Sequence, residues 1–188
     1  FRGVNFLVTK DTLIPRIETE QIVNIALDLI ETKDIPYSKI IDIGTGTGCI
    51  IISLYQELKE NKEEIEEKEK NREKDEDYTF LATDCSSKTL DIAKENAKRN
   101  SIKDISFVKR NLIDNKDLEN NSLILANLPY IPTNMYMKLD RSVKDFEPKK
   151  ALDGGKDGLK YYKELLSIIQ DSKKRNIDLA VEIEPSTT

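Results

Sequence analysis

The chain has 188 residues, of which 38% are hydrophobic, and this size and composition suit one domain with a real apolar core. It has no histidine, which excludes Ser-His and Cys-His catalysis and metal binding through imidazole. Two cysteines, Cys49 and Cys85, are too few for a disulfide framework, and no apolar run approaches the roughly 20 residues that span a bilayer. Residues 56–77 carry the whole net charge of −5, so the rest of the chain is neutral. The numbers of acidic and basic residues therefore give no sign of a strongly basic surface that would bind a polyanion.

Apolar runs and amphipathic segments alternate along the chain. In chain order they predict a helix over 17–31, a strand over 39–43, a helix from residue 49, a strand over 78–84, a helix over 86–100, strands over 104–111 and 121–127, a helix over about 157–175 and a strand over 177–184. Strands that alternate with helices are typical of an α/β fold with a doubly wound, mainly parallel sheet.

Residues 56–77 form a charged segment between the first two strands, with eleven acidic and six basic residues. Two structures fit it: a helix extended by ion pairs between residues four apart, or a solvated, disordered insertion. We favour the insertion because the segment lacks an apolar stripe. The chain begins without Met and stops after the fifth strand, so we expect a fragment truncated at both ends. Residues 1–38 would lead into a core over 39–188.

The first predicted strand ends in the glycine-rich sequence "GTGTG" (44–48). Glycines permit positive φ and close backbone approach, and the following helix directs amide groups toward a ligand. An ordinary tight turn between strand and helix explains the same pattern. The GxGxG spacing, with Asp42 just before it, favours a ligand other than a dinucleotide.

Acidic and amide side chains follow two further strands. Asp84 ends the second strand, where a carboxylate can accept hydrogen bonds from both hydroxyls of a ribose. It could also cap the helix that starts near Ser86, and one residue could serve both purposes. Asn127 follows the fourth strand and begins the sequence "NLPY" (127–130).

The "NLPY" sequence can bind an amide or an exocyclic amine. The Asn127 side-chain oxygen and the next backbone carbonyl would accept its two N–H groups, and the Tyr130 ring would form a flat wall. Such positioning requires no histidine. A proline-containing turn with no chemical role remains the alternative for these residues.

Taken together, these motifs resemble class I S-adenosylmethionine-dependent methyltransferases. More narrowly, the chain resembles the HemK/PrmC family, which methylates the glutamine in the Gly-Gly-Gln loop of peptide-chain release factors. The resemblance rests on "FLVTKDTLIPRIETE" (6–20), "DIGTGTG" (42–48), "NLPY" in place of Asn-Pro-Pro-Tyr, and "FEPKKALDGGKDGLKYY" (146–162). It covers nearly the whole chain except residues 56–77, and it implies a Rossmann-like methyltransferase fold.

The resemblance also implies roles for individual residues. The turn Gly44, Thr45, Gly46, Thr47 and Gly48 would hold the methionine part of S-adenosylmethionine, and Asp84 its ribose. Asn111 and Leu112 would flank the adenine. The catalytic and substrate-binding residues would be Asn127, Leu128, Pro129 and Tyr130. Asn127 would also contact the cofactor. Arg16 and Glu18 would lie near the mouth of the active site.

Three residues depart from the family pattern: Ile17 and Leu128 replace prolines, and Asn111 stands where an aspartate is common. Leu128 keeps the backbone carbonyl but loses the locked φ of proline. Leu128 and Asn111 leave open an inactive cofactor-binding fold. A second alternative is an adenine-N6 nucleic-acid methyltransferase, because enzymes of that class share the Asn-Pro-Pro-Tyr loop.

For the whole protein the resemblance implies a release factor as partner, no metal, no membrane and no direct nucleic-acid binding. A monomer in the cytoplasm is expected, or in an organelle if the source is eukaryotic. We interpret Cys49 and Cys85 as small buried thiols, and "EPKKALDGGKDGL" (147–159) as a turn before the last helix, not a calcium loop.

Overall fold

The computed structural model describes residues 1–68 and 78–183. These contain a five-stranded parallel sheet in the order β3-β2-β1-β4-β5. The strands are β1 (Lys39–Ile43), β2 (Thr79–Asp84), β3 (Ile105–Lys109), β4 (Ser122–Ala126) and β5 (Asp178–Val181). The helices are α1 (Glu20–Thr32), α2 (Cys49–Lys68), α3 (Ser87–Arg99), α4 (Thr133–Tyr136), α5 (Arg141–Lys144) and α6 (Lys160–Ser172). The predicted α/β class with a doubly wound parallel sheet is confirmed.

Helices cover both faces of this sheet, which explains why its strands are almost continuously apolar. Successive side chains of a strand point to opposite faces. Ile40 of β1 therefore joins a core cluster with residues of α1 and α2, whereas Ile41 and Ile43 join a second cluster with Tyr162 and Leu165 of α6.

The third helix follows its sequence signals closely. Ser86 is the N-cap of α3, and its hydroxyl oxygen accepts the Thr89 N–H at 3.3 Å. Leu90, Ala93 and Ala97 are buried, as their spacing of three and four residues predicts.

Helix α2 continues to Lys68. For residues 56–68 the structure therefore has the extended helix, not the disordered insertion that we favoured. The first turns of α2 are anchored by buried residues such as Ile51 and Leu54, and Glu and Lys readily prolong a helix that packing has started. The rest of the charged segment, residues 69–77, lies outside the described residues.

The strand order reverses direction at β1, whose neighbours are β2 on one side and β4 on the other. Ligands of open α/β sheets bind at such a switch point, beside the carboxyl ends of the strands. Ile43 pairs with Thr83 and with Ala126. The next residues along the three strands are Gly44, Asp84 and Asn127, so the register brings them to the same edge of the sheet.

Candidate functional site

The glycine-rich turn connects β1 to α2 at this edge. Gly48 has φ +83°, and a Cβ there would lie 2.8 Å from Ile52 Cδ1 and 3.4 Å from the Cβ of Ala93. Any other residue would therefore be strained and would clash with the packing of α2 against α3. Around Gly46, with φ +57°, the nearest atom to such a Cβ is 3.9 Å away, so this part of the turn is open to a ligand.

Asp84 lies beside the turn and is linked to it. Its Oδ2 accepts the Gly46 N–H at 3.3 Å, and its Oδ1 accepts the Ser86 N–H at 2.8 Å. Ser86, not Asp84, is the N-cap of α3. Burial raises the pKa of the Asp84 carboxyl. Each carboxylate oxygen has about two lone-pair sites, so the hydrogen bonds from the two backbone N–H groups leave Asp84 able to accept from further donors.

Asp42 is a second acidic residue here, fully buried beneath the turn. Its Oδ2 accepts a hydrogen bond from Thr45 Oγ1 at 2.6 Å, while Oδ1 is buried with no hydrogen-bond partner among the described residues. Burial, assisted by the nearby charge of Asp84, raises the pKa of Asp42 to about 7.

Asn127 contacts the segment before α1. Its side-chain Nδ2 donates to Thr19 Oγ1 at 3.0 Å. Thr19 is the N-cap residue of α1, but its hydroxyl makes no capping bond to the helix and is buried against Asn127. This bond orients the carboxamide: its nitrogen faces Thr19, and its oxygen remains able to accept from other donors.

The rest of the "NLPY" loop is held by the last helix and the last strand. The buried Leu128 N–H donates to the Tyr162 hydroxyl at 3.0 Å, and Leu128 Cδ2 lies 3.0 Å from the position of a Cβ on Gly44. Tyr130 donates its hydroxyl proton to Glu182 Oε1 at 3.2 Å. The loop thus contacts the glycine-rich turn, α6 and the end of β5.

A second glycine-containing loop, residues 152–158, packs against the same segment. The Gly154 N–H donates to Ile131 O at 2.8 Å, and the Ile131 N–H donates to Leu152 O at 3.0 Å. A Cβ on Gly158 would lie 2.1 Å from Tyr130 O, and one on Gly154 would lie 2.5 Å from Pro129 O. The sequence predicted only a turn before α6; the structure adds that this turn supports the "NLPY" backbone.

The two family-specific stretches meet through an ion pair. Arg16 of "IPRIETE" (14–20) pairs with the buried carboxylate of Glu147 in "FEPKK" (146–150). Glu18 is exposed and precedes α1, whose first turn contains Glu20 instead.

The two residues expected near adenine, Asn111 and Leu112, lie on the α6 side of the site. Asn111 is exposed, and its Nδ2 donates to Glu164 Oε1 at 3.2 Å. Leu112 is buried with φ +65°, and its carbonyl accepts the Thr83 hydroxyl proton at 2.8 Å. Gly44, Asp84 and Asn127 are on three adjacent strand ends, whereas Asn111 follows the outer strand β3.

Sequence reasoning missed three residues that contact the "NLPY" loop: Thr19, Tyr162 and Glu182. Thr19 and Tyr162 lie in two of the stretches, 6–20 and 146–162, that resemble the HemK/PrmC family. That resemblance was the only feature of the sequence that pointed to these two residues. The expectation for the cysteines was half wrong: Cys49 is buried and Cys85 is exposed.

Over residues 1–68 and 78–183, no group of three or more His, Cys, Asp and Glu side chains is arranged to bind a metal ion. Within the same ranges, no helix has the length and apolar character that crossing a membrane requires.

Solved structures share this fold. The chain superposes on the human METTL16 catalytic domain in complex with the MAT2A 3′UTR hairpin 6 with a TM-score of 0.66 at 18% identity, covering 98% of this chain and 63% of that one. For the N-terminal domain of human METTL16 in complex with SAH, the TM-score is 0.57 at 20% identity, covering 93% of this chain and 58% of that one. Identities this low establish the fold alone, and the predicted Rossmann-like methyltransferase fold is confirmed.

Curated relatives are more similar in sequence. A protein of Francisella tularensis subsp. tularensis named "Release factor glutamine methyltransferase" is 37% identical over 174 residues, which are 91% of this chain and 54% of that protein. A protein of the same name from Flavobacterium psychrophilum is 32% identical over 186 residues, covering 97% of this chain and 59% of the relative. The chain thus spans little more than half the length of these relatives. Residues 38–135 match the family model described as "RMKL-like, methyltransferase domain". The chain belongs to this family of methyltransferase domains, and the prediction of a methyltransferase is confirmed.

Proposed function

We propose that this chain is the catalytic part of a protein that methylates the side-chain amide nitrogen of a glutamine, with S-adenosylmethionine as the methyl donor. The substrate would be the Gly-Gly-Gln loop of a peptide-chain release factor. The names of the curated relatives support the substrate. The observation that carries the chemistry is the bond from Asn127 Nδ2 to Thr19, because it leaves the Asn127 oxygen as the free acceptor of the carboxamide.

The residues at the edge of the sheet fit S-adenosylmethionine. The open turn at Gly46 suits the methionine part, and Thr45 and Thr47 are buried in its walls. Asp84 has acceptor capacity left for ribose hydroxyls, and Asp42 Oδ1 is a buried acceptor without a partner in the described part of the chain. Asn111 and Leu112 are proposed to flank the adenine, at the end of the neighbouring β3.

In the proposed reaction, Asn127 Oδ1 and the Leu128 carbonyl accept the two N–H groups of the substrate amide. Both acceptors favour a pyramidal nitrogen with a localised lone pair, which an ordinary planar amide lacks. S-adenosylmethionine would supply a methyl group bound to a positively charged sulfonium sulfur. When the methyl group is transferred, the sulfur would leave as a neutral thioether. The nitrogen forms the new bond to carbon and then loses one proton to solvent.

Pro129 and Tyr130 would shape the substrate-binding side of this loop. Tyr130 is held through its hydroxyl, so its ring has a defined position as a wall for the planar amide. Positioning of this kind is worth several orders of magnitude in rate without acid–base catalysis.

The test uses the full-length protein with S-adenosylmethionine labelled in the methyl group. A release factor and an adenine-containing DNA or RNA are offered separately, and mass spectrometry locates the label. Label on the glutamine of the Gly-Gly-Gln loop is the expected result. Label on adenine alone would instead indicate a nucleic-acid methyltransferase, and cofactor binding without transfer to either would indicate an inactive fold.

Asn127→Ala is the matched loss-of-function variant for this assay. It should abolish transfer, because it removes the acceptor that the substrate uses, and leave cofactor affinity within about twofold; it also removes the bond to Thr19. Asn134→Ala, at an exposed position of α4, removes the same group away from the strand ends and should be fully active. An active Asn127→Ala protein would refute the proposed role.

We propose that the reaction takes place where release factors act, in the cytoplasm or in an organelle that has its own ribosomes. The protein is proposed to be a monomer, which sedimentation would check.

A further inference from the structure

The backbone N–H of Leu128 lies inside the protein and has one acceptor. Leu128 is only 3% exposed, and its N–H is 3.0 Å from the hydroxyl oxygen of Tyr162, itself 5% exposed. A leucine at this position brings a buried donor that proline does not have. A donor of this kind must find an acceptor, because leaving it unsatisfied destabilises the segment that carries it.

The Tyr162 hydroxyl joins the loop to the end of β5. It accepts from Leu128 and donates its single proton to Glu182 O at 2.5 Å; the Leu128 carbonyl is farther away, at 3.4 Å. The proton therefore goes to Glu182, and the Leu128 carbonyl stays available to other donors. Burial raises the pKa of Tyr162, so the hydroxyl keeps this proton at neutral pH.

Movement of Leu128 would reach the rest of the site. Asn127 precedes it directly, and the Leu128 side chain packs against Gly44 in the glycine-rich turn. The position of one backbone amide is thus coupled to both halves of the candidate site.

We propose that Tyr162 is a positioning residue for the transfer reaction: its hydroxyl fixes the backbone of Leu128, and with it the two acceptors of the loop. A proline at residue 128 would restrict the same backbone through its own ring and would not need this hydroxyl. The inference rests on the proposed function, since it concerns the geometry of that reaction.

The test compares four full-length proteins: the wild type, Tyr162→Phe, Leu128→Pro and the double variant. With a release factor as substrate, Tyr162→Phe should lower kcat by about tenfold or more, since small misplacements have effects of that size. Cofactor affinity should change little. The melting temperature should fall, because the Leu128 N–H and the Glu182 carbonyl lose the hydroxyl, but the protein should remain folded at the assay temperature. In the Leu128→Pro background, the same substitution should change kcat by less than about threefold.

Tyr161→Phe is the matched control, because it removes a hydroxyl from the adjacent residue, which has no hydrogen bond to the loop among the described contacts. It should leave kcat unchanged. An unchanged kcat in Tyr162→Phe, or an equal loss in both backgrounds, would overturn the inference, since a merely structural role would not depend on whether residue 128 carries an N–H.

A second measurement needs neither substrate nor the proline variant. Hydrogen exchange of the Leu128 amide, followed by NMR without substrate, should be faster by about tenfold or more in Tyr162→Phe, with the amides of β1 unchanged. Unaltered protection of Leu128 would overturn the inference by itself. A wild-type protein that methylates no release factor would instead contradict the proposed function, whatever the exchange result.

Discussion

The carboxamide of Asn127 has a donor end and an acceptor end, and its chemistry depends on which end the protein engages. Thr19 engages the nitrogen at 3.0 Å. A threonine at an N-cap usually satisfies an amide of its own helix, and Thr19 makes no such bond. Its hydroxyl is used instead to orient a side chain more than a hundred residues later in the chain.

We therefore expect Thr19→Val to lower kcat by about tenfold, because the isosteric side chain cannot hold the Asn127 nitrogen and the carboxamide is free to rotate. Thr19→Ser keeps the hydroxyl and should retain most of the activity. Steady-state kinetics with a release factor distinguish the two variants. Equal activity in both would mean that Thr19 only packs.

Asp84 is the residue whose loss should affect cofactor binding most directly. Asp84→Ala removes the proposed acceptor for ribose hydroxyls and the bonds from the Gly46 and Ser86 amides, so the Kd for S-adenosylmethionine should rise by about tenfold to a hundredfold. Isothermal titration calorimetry measures this directly. Asp91→Ala, at an exposed position of α3, removes the same charge and should bind normally. Unchanged affinity in Asp84→Ala would refute the ribose assignment.

At the scale of elements, the candidate site is a loop supported by another loop. Residues 152–158 form backbone hydrogen bonds with Ile131, and Gly154 and Gly158 pack closely against the carbonyl oxygens of Pro129 and Tyr130. Asn96 of α3 connects two other segments of the site. Its Oδ1 accepts the Leu7 N–H, and its Nδ2 donates to the carbonyls of Leu7 and Thr47. In this way the segment before α1 is tied to the glycine-rich turn.

Gly158→Ala tests the support given by residues 152–158. Its Cβ would lie 2.1 Å from Tyr130 O, so the "NLPY" loop must shift, and kcat should fall by about tenfold or more. Gly155→Ala is the control, because Gly155 also has a positive φ, of +87°, but its Cβ would meet only the Lys160 side chain. Backbone strain should cost each variant about 1–2 kcal/mol of unfolding free energy, and the clash with Tyr130 O should add to this loss in Gly158→Ala. Equal kcat values in the two would contradict the coupling.

At the scale of the molecule, the buried Asp42 links stability to pH. Its pKa is raised to about 7 in the folded state, whereas an unfolded aspartate titrates near 3.9. Between these values the unfolded chain has released the proton that the folded chain still holds. The contribution of Asp42 to stability therefore falls as pH rises from about 4 to about 7, and is constant outside that window.

Asp42→Asn should remove this dependence while keeping an acceptor for the Thr45 hydroxyl. The variant should gain stability relative to the wild type as pH rises from 4 to 7, by about 1.4 kcal/mol for each unit of the pKa shift. Urea unfolding of both proteins at several pH values measures the difference. Asp91→Asn should parallel the wild type. A constant difference between Asp42→Asn and wild type across this range would show that Asp42 does not titrate there.

The order of strands and helices was predictable because the signals for it are local. Apolar runs, the Ser86 cap and the spacing of Leu90, Ala93 and Ala97 each act over a few residues. The charged segment was the exception: its missing apolar stripe favoured disorder, but packing of the preceding turns starts the helix that residues 56–68 continue. The short helices α4 and α5 were not predicted, since four residues carry too little periodicity.

The sequence by itself determined the chemistry that is available at the edge of the sheet: a glycine-rich turn, an acidic residue and an "NLPY" loop after three strands of a parallel fold. These motifs are contiguous, so their residue types and spacing reveal them. Only the tertiary structure decided how the motifs are held, through Thr19 on Asn127, Tyr162 on Leu128 and residues 152–158 on Tyr130. Such contacts join residues far apart in the chain, and their partners are chosen by packing, which no local pattern encodes.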